Sequence, residues 1–304
     1  MILFNGRVIM SAKRARFLIM LFAALCLLSL AVACGSNEED DVAEDDEAAP
    51  TEAATGVKYT PSGNEGSLAG TIAFEGAVPA PKPISMDADA ACSNPGATIE
   101  DVVVKDGKLQ NVFIYIKDGK LTDKGQNVAA LAFDPPSDAR VLDQKGCQYT
   151  PHVIGIQTGQ KLSVTNSDQT AHNVNVQAKS NPQFNQSQPN NAAPIEKTFA
   201  RAESLIPVKC NVHPWMKSFI NVMRHPFYAV SAGDGKFEIK NVPPGTYNVV
   251  AWHEKLGEKT QSVTVGAKES KTQDFSFAAS GATASFSSSL EIQPALDFPM
   301  IGKH

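Results

Sequence analysis

The sequence predicts an all-β protein assembled from β-sandwiches. Short runs rich in Val, Ile, Phe, Tyr and Thr recur from Ser67 onward. Glycine, proline and Asp-Gly turn signals separate them, and no long apolar period of 3.6 residues follows the N-terminal segment. The chain has 304 residues, 42% hydrophobic and 19% charged. That is enough apolar material for one large or two ordinary domains, and it excludes a wholly disordered chain.

The first element is an address. Lys13, Arg14 and Arg16 precede an apolar run over 17–33 that ends in Leu30-Ala31-Val32-Ala33-Cys34. Small residues followed at once by cysteine resemble a bacterial lipoprotein cleavage box. The resemblance implies that 1–33 is a signal peptide, that Cys34 takes the lipid, and that the chain is exported and held at the membrane. An uncleaved signal anchor is the alternative. Residues 34–66 follow as an acidic, disordered tether, because like charges repel and little there can be buried. Residues 35–57 hold nine acids and no base, and 1–33 hold four bases and no acid. The 27 basic and 32 acidic residues of the chain are therefore evenly matched from Lys58 onward, and with no basic stripe nucleic acid is not an expected partner.

Strand-like runs follow at 68–74, 101–104, 112–116, 161–164, 173–176, 236–239 and 247–252. Asp106-Gly107, Asp118-Gly119, Asp234-Gly235 and Pro243-Pro244-Gly245 read as turns between them. The segment 227–252 contains D-G-x-F-x-I-x-N-V-P-P-G-x-Y from Asp234 to Tyr247. It resembles the carboxypeptidase regulatory-like family, which implies a small transthyretin-like β-sandwich. Only the second half of that module follows Arg224, so 66–74 and 111–116 are expected to supply its opening strands. The division is then 67–138 for N-terminal strands, 139–224 for a central domain, 225–278 for the regulatory-like module and 279–304 for a flexible tail.

Five cysteines sort by position. Cys26 leaves with the signal and Cys34 takes the lipid, which leaves Cys92, Cys147 and Cys210. Cys210 has metal-like neighbours, so Cys92 and Cys147 are the expected disulfide in an oxidising compartment. Closing a loop of that size stabilises by about 4 kcal/mol in the chain-entropy model.

The strongest chemical signal is Cys210-Asn211-Val212-His213-Pro214-Trp215-Met216. A thiolate, an imidazole and a thioether recur at steps of three. Pro214 disfavours a helix, so a tight loop leaving a strand is expected. A fourth ligand must come from elsewhere, and His172, between two strand-like runs, is the candidate. Two His, one Cys and a weak axial Met make a blue-copper ligand set. Zinc on Cys-His-His is the main rival metal.

Residues 139–224 resemble the cupredoxin family, closest to amicyanins. The resemblance rests on C-x-x-H-P-[aromatic]-M at 210–216, the His172-Asn173 pair, and Asn166 six residues before His172. It implies a Greek-key sandwich with one type 1 copper held by His172, Cys210, His213 and Met216, and a loop braced by Asn173. The segment 203–209 departs from the family pattern by lacking tyrosine and holding Pro207, so a short or edge strand is expected there. Trp215 and Pro214 are candidate contacts for a partner, with core packing an equal alternative for Trp215. His213 is the expected solvent-side exit for electrons. His152 reads as a surface histidine at a strand start, and His225 and His253 as sandwich residues. The expected function is a membrane-tethered, periplasmic-side carrier of single electrons, not an enzyme, serving a c-type cytochrome or oxidoreductase. A polysaccharide- or protein-binding module with a structural metal, and copper storage or delivery, are the rivals.

Overall fold

The computed structural model describes residues 56–87, 89–92, 94 and 96–279. The expected signal, the lipidation site Cys34, most of the tether and the tail from residue 280 lie outside them. The described residues belong to one compact unit, 48–304. They are all-β: two short 3-10 turns, Ala90–Cys92 and Val128–Ala130, accompany the strands. Among them no helix is long and apolar enough to cross a membrane.

Residues 140–223 form a sandwich of two sheets. One orders Ile195–Thr198, Lys161–Asn166, Arg140–Gln144 and Tyr149–Thr150. The other orders Phe184–Gln188, His172–Val176, Glu203–Lys209, Lys217–Met223 and Val153–Gln157. Alternation along the strands turns Leu162, Val164, Val174, Val176, Val208 and Ile220 into one core. Each such side chain contributes about 1.5–3 kcal/mol when fully buried.

A second sandwich joins segments from both sides of the first. Strand Gly66–Glu75 pairs antiparallel with Lys236–Val242, setting Leu68 opposite Ile239. It pairs parallel with Ser270–Thr272 and Phe275–Ala278. Phe113–Leu121 pairs antiparallel with Gly245–His253 and with Tyr228–Val230. The core between them includes Leu68, Ile72, Ile114, Ile116, Ile239, Tyr247 and Phe275. The central sandwich thus leaves and re-enters this one between Leu121 and Tyr228. A third apolar cluster lies where the two meet: Phe113 and Trp252 from the outer sandwich against Val153 and Met223 of the central one, with Phe219 and Tyr228 packed alongside.

One expected turn holds, and several other expectations need correction. Asp106-Gly107 is a hairpin turn between Val104–Lys105 and Lys108–Leu109, and both residues have positive φ, as a two-residue primed turn requires. Asp118-Gly119 is not a turn. It lies within Phe113–Leu121, opposite a register shift between Asn248 and Val249. The extra residue of that bulge is Lys117, since Asp118 faces Asn248 and Ile116 faces Val249. Gly119, paired with Tyr247, has φ 145°, and a Cβ there would stand 2.4 Å from the Thr246 carbonyl oxygen, so the glycine allows a close approach of the two strands. The run 101–104 contributes only its last residue to a strand, Val104–Lys105. The tether ends earlier than expected, since Val57–Lys58 pairs with Leu131–Ala132 and the Tyr59 ring lies 5.2 Å from Phe133. Glu203–Lys209 is neither short nor an edge: it sits between His172–Val176 and Lys217–Met223. Pro207 is in register with Phe219 and its carbonyl accepts from the Gln177 amide at 2.9 Å; its absent N–H faces that same side, where the ladder to His172–Val176 covers only Val208 and Lys209, so no ladder bond is lost.

Candidate metal centre

The loop 210–216 joins two neighbouring strands, Glu203–Lys209 and Lys217–Met223. It is closed by backbone bonds from Cys210 N to Met216 O, 3.2 Å, and from Met216 N to His213 O, 2.9 Å. The His213 amide also donates to Cys210 Sγ at 3.4 Å. His172 begins the strand on the other side of Glu203–Lys209. Asn166 shapes the turn before it: its side-chain amide donates to Thr170 O and Gln188 O, both at 2.9 Å, and its oxygen accepts from the Asp168 amide.

These elements bring His172, Cys210 and His213 together, their ligand atoms all within 4.8 Å of one another. The three residues are buried at 0%, 3% and 2% exposure. His172 Nδ1 and His213 Nδ1 stand 3.0 Å apart, and Cys210 Sγ is 3.8 Å from His213 Nδ1. Nitrogen ligands about 2.0–2.1 Å and a thiolate about 2.3 Å from an ion come to lie roughly 3–4 Å from each other, so the donor set fits a single cation of this type. Met216, 1% exposed, packs in the same cluster as Cys210.

The outer edges of both rings are held by carboxylates. His172 Nε2 donates to Asp168 Oδ2 at 2.8 Å, and His213 Nε2 meets Asp89 Oδ2 at 3.2 Å. An ionised carboxylate only accepts, so these contacts place the ring protons on Nε2. Both Nδ1 lone pairs are then turned toward the shared space, in the tautomer that binds metal. Burial pulls the His172 pKa below its ordinary value, against the opposing pull of Asp168, which keeps the ring neutral and able to ligate. Asp168 is itself fixed by the Gly146 and Cys147 amides at 2.6 and 2.8 Å. Asp89 accepts from Thr170 Oγ1 at 2.8 Å. Asn173 Oδ1 accepts from the Asn211 amide at 3.2 Å, which ties its strand to the loop.

Sequence reasoning assigned no role to Asp168 or Asp89. Asp168 precedes His172 by four residues and was legible as a turn acid. Asp89 comes from a distant segment and carried no local signal.

Cys92 and Cys147 form the expected disulfide, and it changes the outlook of the site. The segment bearing Asp89 and Cys92 crosses over His213, whose Nε2 is 3.5 Å from Cys92 Sγ. His213 is therefore covered and is not the solvent-facing edge expected of it. The Trp215 ring lies 5.1 Å from the His213 ring, tilted by 40°, and its Nε1 donates to Cys147 O at 3.0 Å. Trp215 is half-buried, Pro214 is exposed and Val212 is 61% exposed.

His152 is not a surface residue. It is 5% exposed and bridges Glu254, 2.5 Å from Nε2, and Glu100, 3.4 Å from Nδ1. Lys217 adds ion pairs to Glu254 at 2.6 Å and to Asp101. Burial opposes the His152 charge, but bonds to Glu100 and Glu254 hold its pKa up at about 9. The network links the central strands to the outer sandwich at Glu254. His225 and His253 are buried in the outer sandwich region, and burial pushes each pKa down to about 4.

The family model for polysaccharide lyase family 4, domain II, matches residues 207–273, well under half of the chain. No curated protein matches. Among solved structures, a Cu-containing nitrite reductase from Thermus scotoductus SA-01 is 18% identical over 30% of this chain and 26% of its own, with TM-score 0.27. The chain thus spans about a quarter of that enzyme. An amicyanin variant in its Cu(I) form is 21% identical over 29% of this chain and 85% of its own, with TM-score 0.25. A purple cupredoxin from Nitrosopumilus maritimus is 22% identical over 28% of this chain and 99% of its own, with TM-score 0.24.

Proposed function

We propose that this chain is an exported, membrane-tethered copper protein that carries single electrons, with one type 1 copper held by His172, Cys210, His213 and Met216. One observation carries the reading. Two histidines whose Nε2 atoms meet carboxylates aim their Nδ1 atoms at each other across 3.0 Å, with a buried thiol alongside. Two facing lone pairs repel unless a cation lies between them. One thiolate, two imidazoles and a thioether select copper over zinc, which favours carboxylate or water in the fourth position.

Bound copper would supply the one-electron capacity that the side chains lack. The protein's own residues do the rest. Asp168, Asp89 and Asn173 fix the ligands before any ion arrives, so little has to move between oxidation states. Burial of Cys210 and both histidines keeps water off the donor atoms. With His213 covered, the route to the surface runs through Trp215 and the exposed tip at Val212 and Pro214. That tip is where a redox protein, such as a c-type cytochrome or an oxidoreductase, would dock. A set of four side-chain ligands, His172, Cys210, His213 and Met216, would fill the coordination of one copper, which supports a carrier.

The alternative of a polysaccharide-binding module would need aromatic side chains presented for stacking. In the segment 226–278, Phe227, Phe237, Tyr247, Trp252, Phe275 and Phe277 are buried and Tyr228 is half-buried, which speaks against it.

The test is the visible spectrum of the chain after Cu(II) addition, beside Cys210→Ala. An intense blue band that disappears in the variant is expected. Zinc retained in preference to copper, or no thiolate band, overturns the reading.

A further inference from the structure

The disulfide packs directly on the metal centre. Cys92 Sγ, an Asp89 oxygen and a His213 ring nitrogen lie within 4.8 Å of one another, and so do Cys147 Sγ, an Asp168 oxygen and a His172 ring nitrogen. Along the Nε2 edges of the two imidazoles there are thus two sulfurs and two carboxylates. Joined as a disulfide, the sulfurs are poor donors. As thiolates they would be soft, strong donors that prefer Cu(I).

We propose that reduction of Cys92–Cys147 by a dithiol reductant creates a second soft-metal site, specific for Cu(I). The Cys92 and Cys147 thiolates hold the ion, with Asp89 and Asp168 at its rim. Two electrons from the dithiol break the S–S bond and two protons complete the thiols, while the reductant leaves as its own disulfide. Cu(I) then displaces the two thiol protons to solvent. The site needs no ion between His172, Cys210 and His213, so it stands apart from the function proposed above.

The sulfurs stay together after the bond breaks because other contacts hold both backbones. Cys147 is fixed by Asp168 at its amide and by Trp215 at its carbonyl. On the other side, Asp89 accepts from Thr170 and meets His213, and its carbonyl accepts from the Cys92 amide at 2.9 Å. Asn94 Nδ2 donates to Gly146 O at 3.3 Å, which adds a second tie between the two segments. The Cα atoms are 5.4 Å apart, close enough for both thiols to reach one ion. Cys92 and Cys147 are nearly inaccessible, at 1% and 0%, but the Asp89 side chain is 26% exposed and provides an entry for a cation.

The experiment titrates the full chain with Cu(I) against a chromophoric Cu(I) chelator, before and after dithiothreitol treatment and anaerobic desalting. The expected result is one tightly bound Cu(I) per oxidised chain and two per reduced chain. Cys92→Ser/Cys147→Ser should bind one in either state. Cys210→Ala should bind none when oxidised and one when reduced, which separates this site from the first. Equal stoichiometry for the reduced chain and the double serine variant overturns the proposal. So does loss of the near-ultraviolet circular dichroism on reduction alone, since it would show that the remaining contacts do not hold the thiols in place.

Discussion

Asp89 and Asp168 show how much of a candidate metal site lies beyond the residues that would ligate the ion. Cys210, His213 and Met216 were legible because a single loop carries all three at short spacing. His172 was legible as a histidine at a strand end. Their orientation was not, because it depends on carboxylates that reach the rings only in the fold, one from the segment that also carries Cys92. Asp89→Asn should weaken copper binding by 10- to 100-fold, the usual cost of losing a partner that orients a ligand histidine. Chelator competition on the folded variant measures this. Asp168→Asn should cost at least as much, since Asp168 also accepts from the Gly146 and Cys147 amides.

Strand Val153–Gln157 is buried at every residue, and the reason is its place between two cores. Ile154 and Ile156 face the central sandwich, and Val153 joins the cluster shared with the outer one. Such a strand shows no alternation, which is why the sequence pattern did not reveal it. Gly155 lets the outer sandwich approach: a Cβ there would stand 2.4 Å from the Tyr228 ring and 2.9 Å from Phe113. Gly155→Val should therefore destabilise the chain by roughly 1–3 kcal/mol as an overpacked contact, read as a lower denaturation midpoint. Gly119 was misread as a turn because Asp-Gly favours one locally, and only the pairing with Gly245–His253 shows that the strand runs straight through it. Gly119→Val should also destabilise, by about 1–3 kcal/mol, because the side chain meets backbone that has no room to yield. Thermal melts of the two variants measure both effects.

Across the whole molecule, histidines set opposite pH limits. His152, held at about 9, binds its proton more tightly in the folded chain than at the ordinary 6.5. Its stabilisation is complete below about 6.5 and is lost as pH rises through 9. His225 and His253, at about 4, bind protons more tightly in the unfolded chain, so stability falls as pH drops from 6.5 toward 4. Thermal stability should peak near pH 6.5, and His152→Gln should flatten the alkaline limb while sparing the acid one. Melting curves across pH 4–10 check this. The all-β class and the pairing of 66–75 with later segments were approachable from the sequence, because the strand runs and the repeated turn signals are local. The ion-pair network around His152 was not, because Glu100, Lys217 and Glu254 come from three separate regions. The threading of one sandwich through the other also bears on the order of synthesis. Strand Gly66–Glu75 emerges from the ribosome early, yet three of its four partners, Lys236–Val242, Ser270–Thr272 and Phe275–Ala278, come last. The central sandwich finds all its ladders within 140–223 and can mature while the outer one waits. Non-local pairing of that kind closes slowly, so the half that holds His172, Cys210 and His213 is set before the half that frames it.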